Sequence, residues 1–328
     1  MPRTISFIEA IIEALDQEMG RDQRVFLLGE DIGPSGGVFG ATAGLFNKYG
    51  EDRVLDTPLA EGIIIAAAIG SSMVGLRPIP EIQFTDFITP AMDQLVQQAS
   101  KLHYRSAGGF SCPITVRICC GGGTGAGLYH SQENAAWFVH EPGLKVVMPS
   151  NPYDAKGLLT AAIRDPNPVL FFEHKKLYRT IKGEVPEEQY AVPIGKAAVR
   201  RVGTDMTILT YGYMTHVAME SAEAMAKEGV DAEVVELRTL SPMDKETILE
   251  SVKKTNKCLI VHEDKKTMGI GAELAAIVSD EAFEYLDGPV MRVTGPDIPP
   301  MPFSPPLQKY YLVDVGKVSA AMTELAAY

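Results

Sequence analysis

Glu61 is a candidate functional residue, a carboxylate at the start of a predicted helix. It follows Asp56-Thr57-Pro58-Leu59-Ala60 and precedes a run rich in Ile and Ala. Because a residue before proline avoids helical angles, the backbone breaks at Thr57, and we expect the helix to run from Glu61 to about Gly75. A carboxylate at the mouth of such a helix can hold a cofactor ring. The alternative is an acid that only complements the helix dipole, worth about 0.3–1 kcal/mol.

Glu30 and His130 are two further candidates, because each lies beyond a predicted strand. Glu30 follows the strand Val25 to Leu28, and open α/β sheets bind ligands at the carboxyl ends of their strands. It could equally be a solvated loop acid. His130 comes after the strand Ile114 to Ile118 and a glycine-rich run. That run could present it as an active-site residue, although a lone histidine is more commonly structural.

The glycine-rich run Gly121 to Gly127 resembles a phosphate-binding loop in position, because it follows a strand. No Gly-Lys-Ser/Thr closes it, and the Gly-x-Gly-x-x-Gly spacing is absent. Nucleotide binding is therefore the weaker interpretation. The other is a flexible active-site loop that presents His130.

Composition restricts the class of protein. The chain has 328 residues, a net charge of -12 and no long basic run, so nucleic acid is not an expected partner. No uninterrupted apolar stretch of about 18 residues occurs, so no membrane span is expected. The four cysteines form no Cys-x-x-Cys pair. They predict buried free thiols in a reducing, cytoplasmic environment.

Predicted strands and helices alternate along most of the chain, which is typical of an α/β fold with parallel sheets. Lys175 to Pro193 lacks periodicity and is interpreted as a crossover between two domains. The segment Pro296 to Pro306 is predicted to be irregular. Predicted helices include these: 90–104, 133–139, 153–164, 214–227, 245–252, 271–285 and 315–327.

Six motifs occur in a fixed order along the chain: Gly29-Glu30-Asp31, Asp56 to Glu61, Glu81-Ile82-Gln83-Phe84, Leu128-Tyr129-His130-Ser131-Gln132, Pro142 to Val147 and Asp154 to Leu159. Together they resemble the beta subunit of the thiamine-diphosphate-dependent first component of 2-oxo acid dehydrogenase complexes. The resemblance implies a transketolase-like α/β fold: a parallel-sheet pyrimidine-binding domain at 1–185 and a smaller C-terminal α/β domain at 194–328.

The resemblance also implies roles for individual residues. Glu61 matches the glutamate that hydrogen-bonds the cofactor's aminopyrimidine ring, and His130 matches an active-site histidine. Burial would raise the pKa of the glutamate and let it share a proton with the ring. The remaining cofactor-binding positions are these: Glu30, Leu59, Gln83 and Phe87.

A metal site is implied in the same way. Five residues match positions that hold a structural potassium ion in some relatives, and oxygen ligands suit such a cation. The alternative is a plain loop after a helix. The matching residues are these: Ile114, Ala162, Ile163, Asp165 and Asn167.

The implied partner is an alpha subunit in an alpha2-beta2 heterotetramer. In the family a Gly-Asp-Gly motif holds the diphosphate and magnesium, and this sequence has none. We therefore expect thiamine diphosphate and magnesium to be held mainly by the alpha subunit. The expected reaction is oxidative decarboxylation of a 2-oxo acid, with acyl transfer to lipoyl-lysine of an acyltransferase core.

Branched-chain substrates are favoured, because Leu128-Tyr129-His130 and Phe171 to Lys175 are most similar to that branch. Pyruvate and acetoin dehydrogenases are the alternatives. A self-contained transketolase or synthase is disfavoured by the missing Gly-Asp-Gly. A non-catalytic scaffold subunit is disfavoured by the presence of both Glu61 and His130.

Overall fold

The computed structural model describes residues 3–299 and 301–328. The chain forms two compact units. Unit 1 contains the residues up to Cys120 together with Trp137–Ile194, and unit 2 contains Gly121–Ala136 and Gly195–Tyr328. Residues 121–136, which carry His130, therefore belong with unit 2.

Unit 1 is built on a parallel sheet. Six strands follow the order β6-β7-β5-β4-β2-β3 and all their pairings are parallel. Parallel pairing brings the carboxyl ends of the strands to one edge, the usual place for a ligand. The strands of this unit are these: β1 Arg3–Ser6, β2 Val25–Gly29, β3 Val54–Asp56, β4 Arg77–Ile82, β5 Thr115–Cys120, β6 Lys145–Val147, β7 Val169–His174 and β8 Lys182–Val185.

Short and long helices connect these strands. Ser6 and Glu9 form a capping box, because they exchange side-chain and backbone hydrogen bonds at the start of α1. The helix predicted to open at Glu61 is confirmed. The helices are these: α1 Phe7–Arg21, α2 Leu45–Tyr49, α3 Glu61–Met73, α4 Leu102–Arg105, α5 Ala136–Val139, α6 Pro152–Arg164 and α7 Leu177–Thr180.

The single helix predicted over 90–104 is wrong. A 3-10 turn at Thr89–Ala91, a π-helix at Gln94–Ala99 and the short α4 occupy that range. The Ser100 hydroxyl donates to the Val96 carbonyl at 2.6 Å, while the Ser100 amide donates to Leu95. A serine side chain that competes for helix carbonyls in this way favours an irregular turn.

The helix predicted over 133–139 is shorter than expected. The Glu133 carboxylate accepts a hydrogen bond from the Ala135 backbone amide at 2.9 Å, and α5 begins only at Ala136. A side chain that binds a nearby backbone amide offers an alternative to the helical hydrogen bond.

The interpretation of Lys175 to Pro193 as an aperiodic crossover is also wrong in part. It contains α7 and β8, and β8 pairs antiparallel with β1. Backbone hydrogen bonds hold this two-stranded pair while most of the β8 side chains are exposed or half-buried. The pairing therefore leaves little hydrophobic pattern in the sequence.

Unit 2 has a five-stranded sheet of order β14-β13-β10-β11-β9, in which only β9 is antiparallel. Its core is apolar and includes Ile208, Val234, Leu259 and Met322. The elements are these: β9 Ala198–Arg201, β10 Met206–Thr210, β11 Ala232–Glu236, β12 Thr239–Ser241, β13 Cys258–Lys265, β14 Met291–Gly295, α8 Met214–Ala226, α9 Lys245–Thr255, α10 Ile270–Glu281, α11 Pro305–Tyr311 and α12 Val315–Ala326.

The segment predicted to be irregular, Pro296 to Pro306, includes Pro300, which lies outside the described residues. Its last two residues already belong to α11. All four cysteines are free and buried, as predicted. None of the helices in the described ranges is both long and apolar enough to cross a membrane.

Candidate active site

The end of β2 in unit 1 places Glu30 inside the protein. Its side chain is buried, with 6% of its surface exposed. Asp31 has a positive φ of 55°, and its carbonyl accepts a hydrogen bond from Gly37 at 2.8 Å. Asp is among the residues that tolerate this left-handed conformation. The resulting tight turn leaves Glu30 at the carboxyl end of the sheet.

Gln83 ties this turn to the neighbouring strand. It follows β4 directly, and its Nε2 donates to the Glu30 carbonyl at 3.2 Å and to Asp31 Oδ2 at 3.4 Å. Gly29 lies close beneath, since a Cβ there would come within 3.0 Å of the Glu81 carbonyl. The ends of β2 and β4 are thus held together at the level of Glu30.

Glu61 completes this group. It is the first residue of α3 and is half-buried. Glu30 accepts a hydrogen bond from the Ala60 backbone, while its Oε1 is buried and has no hydrogen-bond partner. Burial raises the pKa of Glu30, and the nearby negative charges of Glu61 and Asp31 raise it further. An unsatisfied buried carboxyl oxygen beside a second carboxylate suits a ligand that donates hydrogen bonds.

Leu59 and Phe87, the two apolar residues among the predicted cofactor-binding positions, differ in their surroundings. Leu59 is 84% exposed, so nothing in the described part of unit 1 covers it. Phe87 lies in a 3-10 turn, and its ring meets that of Phe84 edge to face at 6.1 Å. Phe84 in turn meets Phe39 at 5.6 Å. The aromatic group gives Phe87 a fixed place, whereas Leu59 is available to a partner.

The glycine-rich loop after Glu30 is held by Asp56, at the end of β3. The Gly33 amide donates to Asp56 Oδ1 at 2.6 Å. A Cβ at Gly33 would lie 2.7 Å from the other carboxylate oxygen, so a larger residue would displace the Asp56 side chain. The Asp56 motif therefore orders the loop that follows Glu30.

A buried ionic network connects β4, β5 and β7, and it was not predicted from the sequence. Arg117 on β5 donates to Glu173 on β7 through Nε at 2.7 Å and Nη2 at 2.8 Å, and through Nη1 to Glu81 on β4. Tyr178 donates to Glu173 at 2.5 Å. Burial raises the pKa of Glu81, which the Arg117 charge opposes.

This network had a signal in the sequence. Glu81, Arg117 and Glu173 are each a charged residue within a mostly apolar strand. Charged side chains are rarely buried unless they are paired. A basic residue on one such strand and acidic residues on two others therefore predict that these side chains pair with one another. The network joins the three adjacent strands β7, β5 and β4. Its member Glu81 lies two residues before Gln83 in the sequence.

His130 lies in unit 2, on the loop after β5. It is half-buried, and its amide lies 3.5 Å from the Gly127 carbonyl. The Gly121 amide donates to the Gln132 carbonyl at 2.8 Å, which closes the loop at its base. The structure thus groups Glu30, Glu61 and Gln83 within unit 1 and presents His130 from a closed loop of unit 2.

The residues matched to a potassium site surround an arginine. Arg77 Nη1 donates to the Ile163 carbonyl at 2.7 Å and to the Asp165 carbonyl at 3.1 Å. The Asp165 carboxylate pairs with Lys145 at 2.5 Å. Two cationic side chains therefore already bind oxygens of this loop.

The other three matched residues contribute fewer available oxygens. The Ile114 carbonyl accepts from Val169, and the Ala162 carbonyl accepts from Asp165. Asn167 Oδ1 is buried and has no hydrogen-bond partner. Such an oxygen could bind a cation. The other candidate oxygens of the matched residues already bind protein groups.

Comparison with known families assigns both halves of the chain. The family described as Transketolase, pyrimidine binding domain, matches residues 3–180. The family described as Transketolase, C-terminal domain, matches residues 195–318. The fold predicted from the sequence is confirmed by these matches.

Individual relatives cover almost the whole chain. It is 55% identical to the 2-oxoisovalerate dehydrogenase subunit beta of Bacillus subtilis over 324 residues, 99% of each chain. It is 47% identical to the pyruvate dehydrogenase E1 component subunit beta of the same organism, over 89% of this chain and 90% of that one. It is 46% identical to the acetoin:2,6-dichlorophenolindophenol oxidoreductase subunit beta of Cupriavidus necator, over 98% and 97%.

A solved structure shows the same fold. The split gene transketolase, inactive beta4 tetramer, superimposes with a TM-score of 0.79 over 98% of each chain. The two sequences are 22% identical, so this likeness concerns the fold alone.

Proposed function

The chain belongs to the transketolase-like family that includes the beta subunits of 2-oxo acid dehydrogenases, and we propose that it is the beta subunit of a branched-chain 2-oxo acid dehydrogenase. The reaction is oxidative decarboxylation of a branched-chain 2-oxo acid, with acyl transfer to lipoyl-lysine of an acyltransferase core. The observation that carries the proposal is the group of Glu30, Glu61 and Gln83 at the strand ends of unit 1, in a chain 55% identical to a 2-oxoisovalerate dehydrogenase subunit.

The proposed cofactor is thiamine diphosphate, which supplies a nucleophilic carbon and an electron sink when bound. The buried Glu30 Oε1, which has no hydrogen-bond partner, fits the donor groups of an aminopyrimidine. Glu61, the first residue of α3, would hydrogen-bond the ring. Gln83 keeps the Glu30 turn in place, and Leu59 and Phe87 supply apolar contacts to the ring.

His130 is proposed to assist proton transfer, or to orient the substrate and the incoming lipoyl group. A histidine on a closed loop at a strand end is in a suitable place for such work. Its alternative role is structural, and mutation separates the two.

The proposed partner is an alpha subunit in an alpha2-beta2 assembly. This sequence has no Gly-Asp-Gly motif, so the diphosphate and magnesium are assigned mainly to the alpha subunit. Leu59 is 84% exposed and Ile63, on the first turn of α3, is 70% exposed. Apolar side chains beside a cofactor site need a covering surface, and a partner subunit would provide it.

A structural potassium ion at the loop 162–167 remains a prediction. Arg77 donates to two of the carbonyl oxygens that would face such an ion. Only the buried Asn167 Oδ1 favours the ion directly. We assign no step of the reaction to it.

Turnover by the purified alpha–beta assembly tests the function. Three substrates should be compared: 2-oxoisovalerate, pyruvate and acetoin. The highest kcat/KM is expected for 2-oxoisovalerate. A preference for pyruvate or acetoin would assign the chain to one of the other two relatives, and no turnover of any of them would overturn the proposal.

Calorimetric titration of the isolated chain tests the shared site. With magnesium present, thiamine diphosphate should bind weakly or not at all. Micromolar or tighter binding without a partner would contradict a site completed by the alpha subunit.

A further inference from the structure

The loop that carries His130 is fastened to unit 2 on both sides of its base. The hydrogen bond between Gly121 and Gln132 closes the loop into a ring. The residues on either side of this bond, Gly122 and Glu133, each bind a buried side chain of unit 2. These two attachments decide how firmly the loop, and His130 with it, is held.

The first attachment joins Glu133 to Tyr211, the residue after β10. The Tyr211 hydroxyl donates to Glu133 Oε2 at 2.8 Å, and the Ala135 amide donates to Oε1 at 2.9 Å. Glu133 is 4% exposed and Tyr211 is 2% exposed. The Tyr211 ring stacks on the buried His262 ring, with centroids 6.0 Å apart. One carboxyl group therefore connects the loop to the end of β10.

The second attachment joins Gly122 to Glu263 on β13, whose Oε1 accepts from the Gly122 amide at 2.5 Å. The fit at Gly122 is close, because a Cβ there would overlap the Met301 methyl group. Gly127 is equally restricted by the Phe303 ring. The loop backbone thus lies directly against unit 2 at several points.

The surroundings of Glu133 are acidic. Burial, and next the negative charges of Asp264 and Glu263, raise the pKa of Glu133 to about 8. The nearby phenol of Tyr311 has a pKa raised by burial and by the same acids. Lys265 lies 3.6 Å from Asp264 and brings a positive charge to this group. The Tyr211 and Ala135 hydrogen bonds act in the opposite direction, because both are accepted by the Glu133 carboxyl oxygens.

We propose that Glu133 is a positioning residue, which docks the His130 loop on unit 2 through its hydrogen bond to Tyr211. The proposal deepens the proposed function, since it rests on the catalytic role of His130. Glu133 itself touches no reacting group. Its contribution is to hold the loop in one arrangement, so that His130 is presented in one orientation.

Four variants of the full chain test this docking by hydrogen–deuterium exchange. Tyr211→Phe removes one hydroxyl and keeps the ring, and Glu133→Ala removes the carboxyl group. Glu133→Gln keeps an uncharged hydrogen-bonding group of the same size. The matched control is Tyr190→Phe, which removes a 2.8 Å hydrogen bond to the Tyr153 carbonyl in unit 1.

Tyr211→Phe and Glu133→Ala should lower the protection of amides 121–136 by roughly tenfold, the effect of one lost hydrogen bond. Glu133→Gln and Tyr190→Phe should leave that protection unchanged. The sole tryptophan, Trp137, directly follows the loop, and its quenching by acrylamide gives an independent signal. Equal protection in Tyr211→Phe and Tyr190→Phe would overturn the proposal.

Protection factors measured between pH 5.5 and 9 give a second test. The pKa of Glu133 is about 8 in the docked loop, against 4.5 for an ordinary glutamate in water, so docking takes up a proton. Docking should therefore weaken as the pH rises towards 8 and level off above it. Glu133→Gln cannot titrate and should remove this dependence. The same dependence in Glu133→Gln would exclude Glu133 as its source.

Activity of the alpha–beta assembly separates this proposal from the proposed function. Tyr211→Phe should lower kcat and leave KM unchanged, and it should have no further effect in a His130→Ala background. An additional loss in that background would overturn the link to His130. If the assembly turns over no 2-oxo acid, the proposed function fails, while the exchange measurements still decide whether Glu133 docks the loop.

Discussion

The side-chain amide of Gln83 donates a 3.2 Å hydrogen bond to the backbone carbonyl of Glu30, and so joins the ends of β4 and β2. This bond fixes the turn from which Glu30 extends its buried carboxyl group. The side chain of Gln83 therefore acts on the sheet edge itself. Its removal should affect binding more than folding.

Gln83→Ala should weaken thiamine diphosphate binding by the alpha–beta assembly about 2- to 10-fold, the range expected for one neutral hydrogen bond. Calorimetric titration of the assembly measures this affinity. The control is Gln94→Ala, which removes an exposed amide that donates to the adjacent Asp93 carboxylate at 3.3 Å. An equal affinity for the two variants would show that Gln83 does not shape the site.

Glu61→Gln should leave assembly intact and slow the exchange of the cofactor's thiazolium proton, because the amide cannot share a proton with the pyrimidine ring. Hydrogen–deuterium exchange of the bound cofactor measures this rate. Glu273→Gln is the matched control, since Glu273 is also an acid in the first turn of a helix. If Glu61 only complements the helix dipole, both variants lose about 0.3–1 kcal/mol of stability and exchange is unchanged.

His130→Ala should preserve assembly and lower kcat by roughly 10²–10⁴-fold, the usual contribution of a positioned proton-transfer group. Steady-state turnover of 2-oxoisovalerate by the assembled enzyme provides the measurement. His140→Ala, an exposed histidine ten residues later, is the control and should keep normal activity. Near-normal turnover in His130→Ala would return His130 to a structural role.

Arg117→Met should lower the free energy of unfolding by about 3–5 kcal/mol, because Glu81 and Glu173 would remain buried without their cation. Denaturant unfolding of the isolated chain measures the change. Arg24→Met is the control: its pair with Asp22 is exposed, and such pairs contribute about 0–1 kcal/mol. A similar small loss for both variants would mean that the buried network does not stabilise unit 1.

Local patterns in the sequence predict much of this structure. The Ser6–Glu9 capping box, the break at Thr57 and the α3 helix depend on neighbouring residues, so short segments suffice to predict them. The alternation of strands and helices indicates parallel sheets for the same reason. The ordered motifs then identify the family, and with it the candidate residues Glu61 and His130.

Long-range partners decided the remainder. Glu61 was expected to be the buried carboxyl, whereas the structure leaves it half-buried and buries Glu30 instead. The pairing of β1 with β8 joins segments about 180 residues apart, and backbone bonds leave no side-chain pattern to reveal it. The π-helix before Ser100 is accompanied by a hydrogen bond from the Ser100 hydroxyl to the Val96 carbonyl, a partner that the sequence does not specify.

The sequence by itself determined the family and the fold class and made Glu61 and His130 the candidate site residues, because these inferences follow from residue types in a fixed order. Only the tertiary structure decided what holds those residues in place. Tyr211 lies 78 residues from Glu133, and Glu263 lies 141 residues from Gly122. A hydrogen bond requires two groups to meet within about 3 Å, and only the folded backbone brings such distant residues that close.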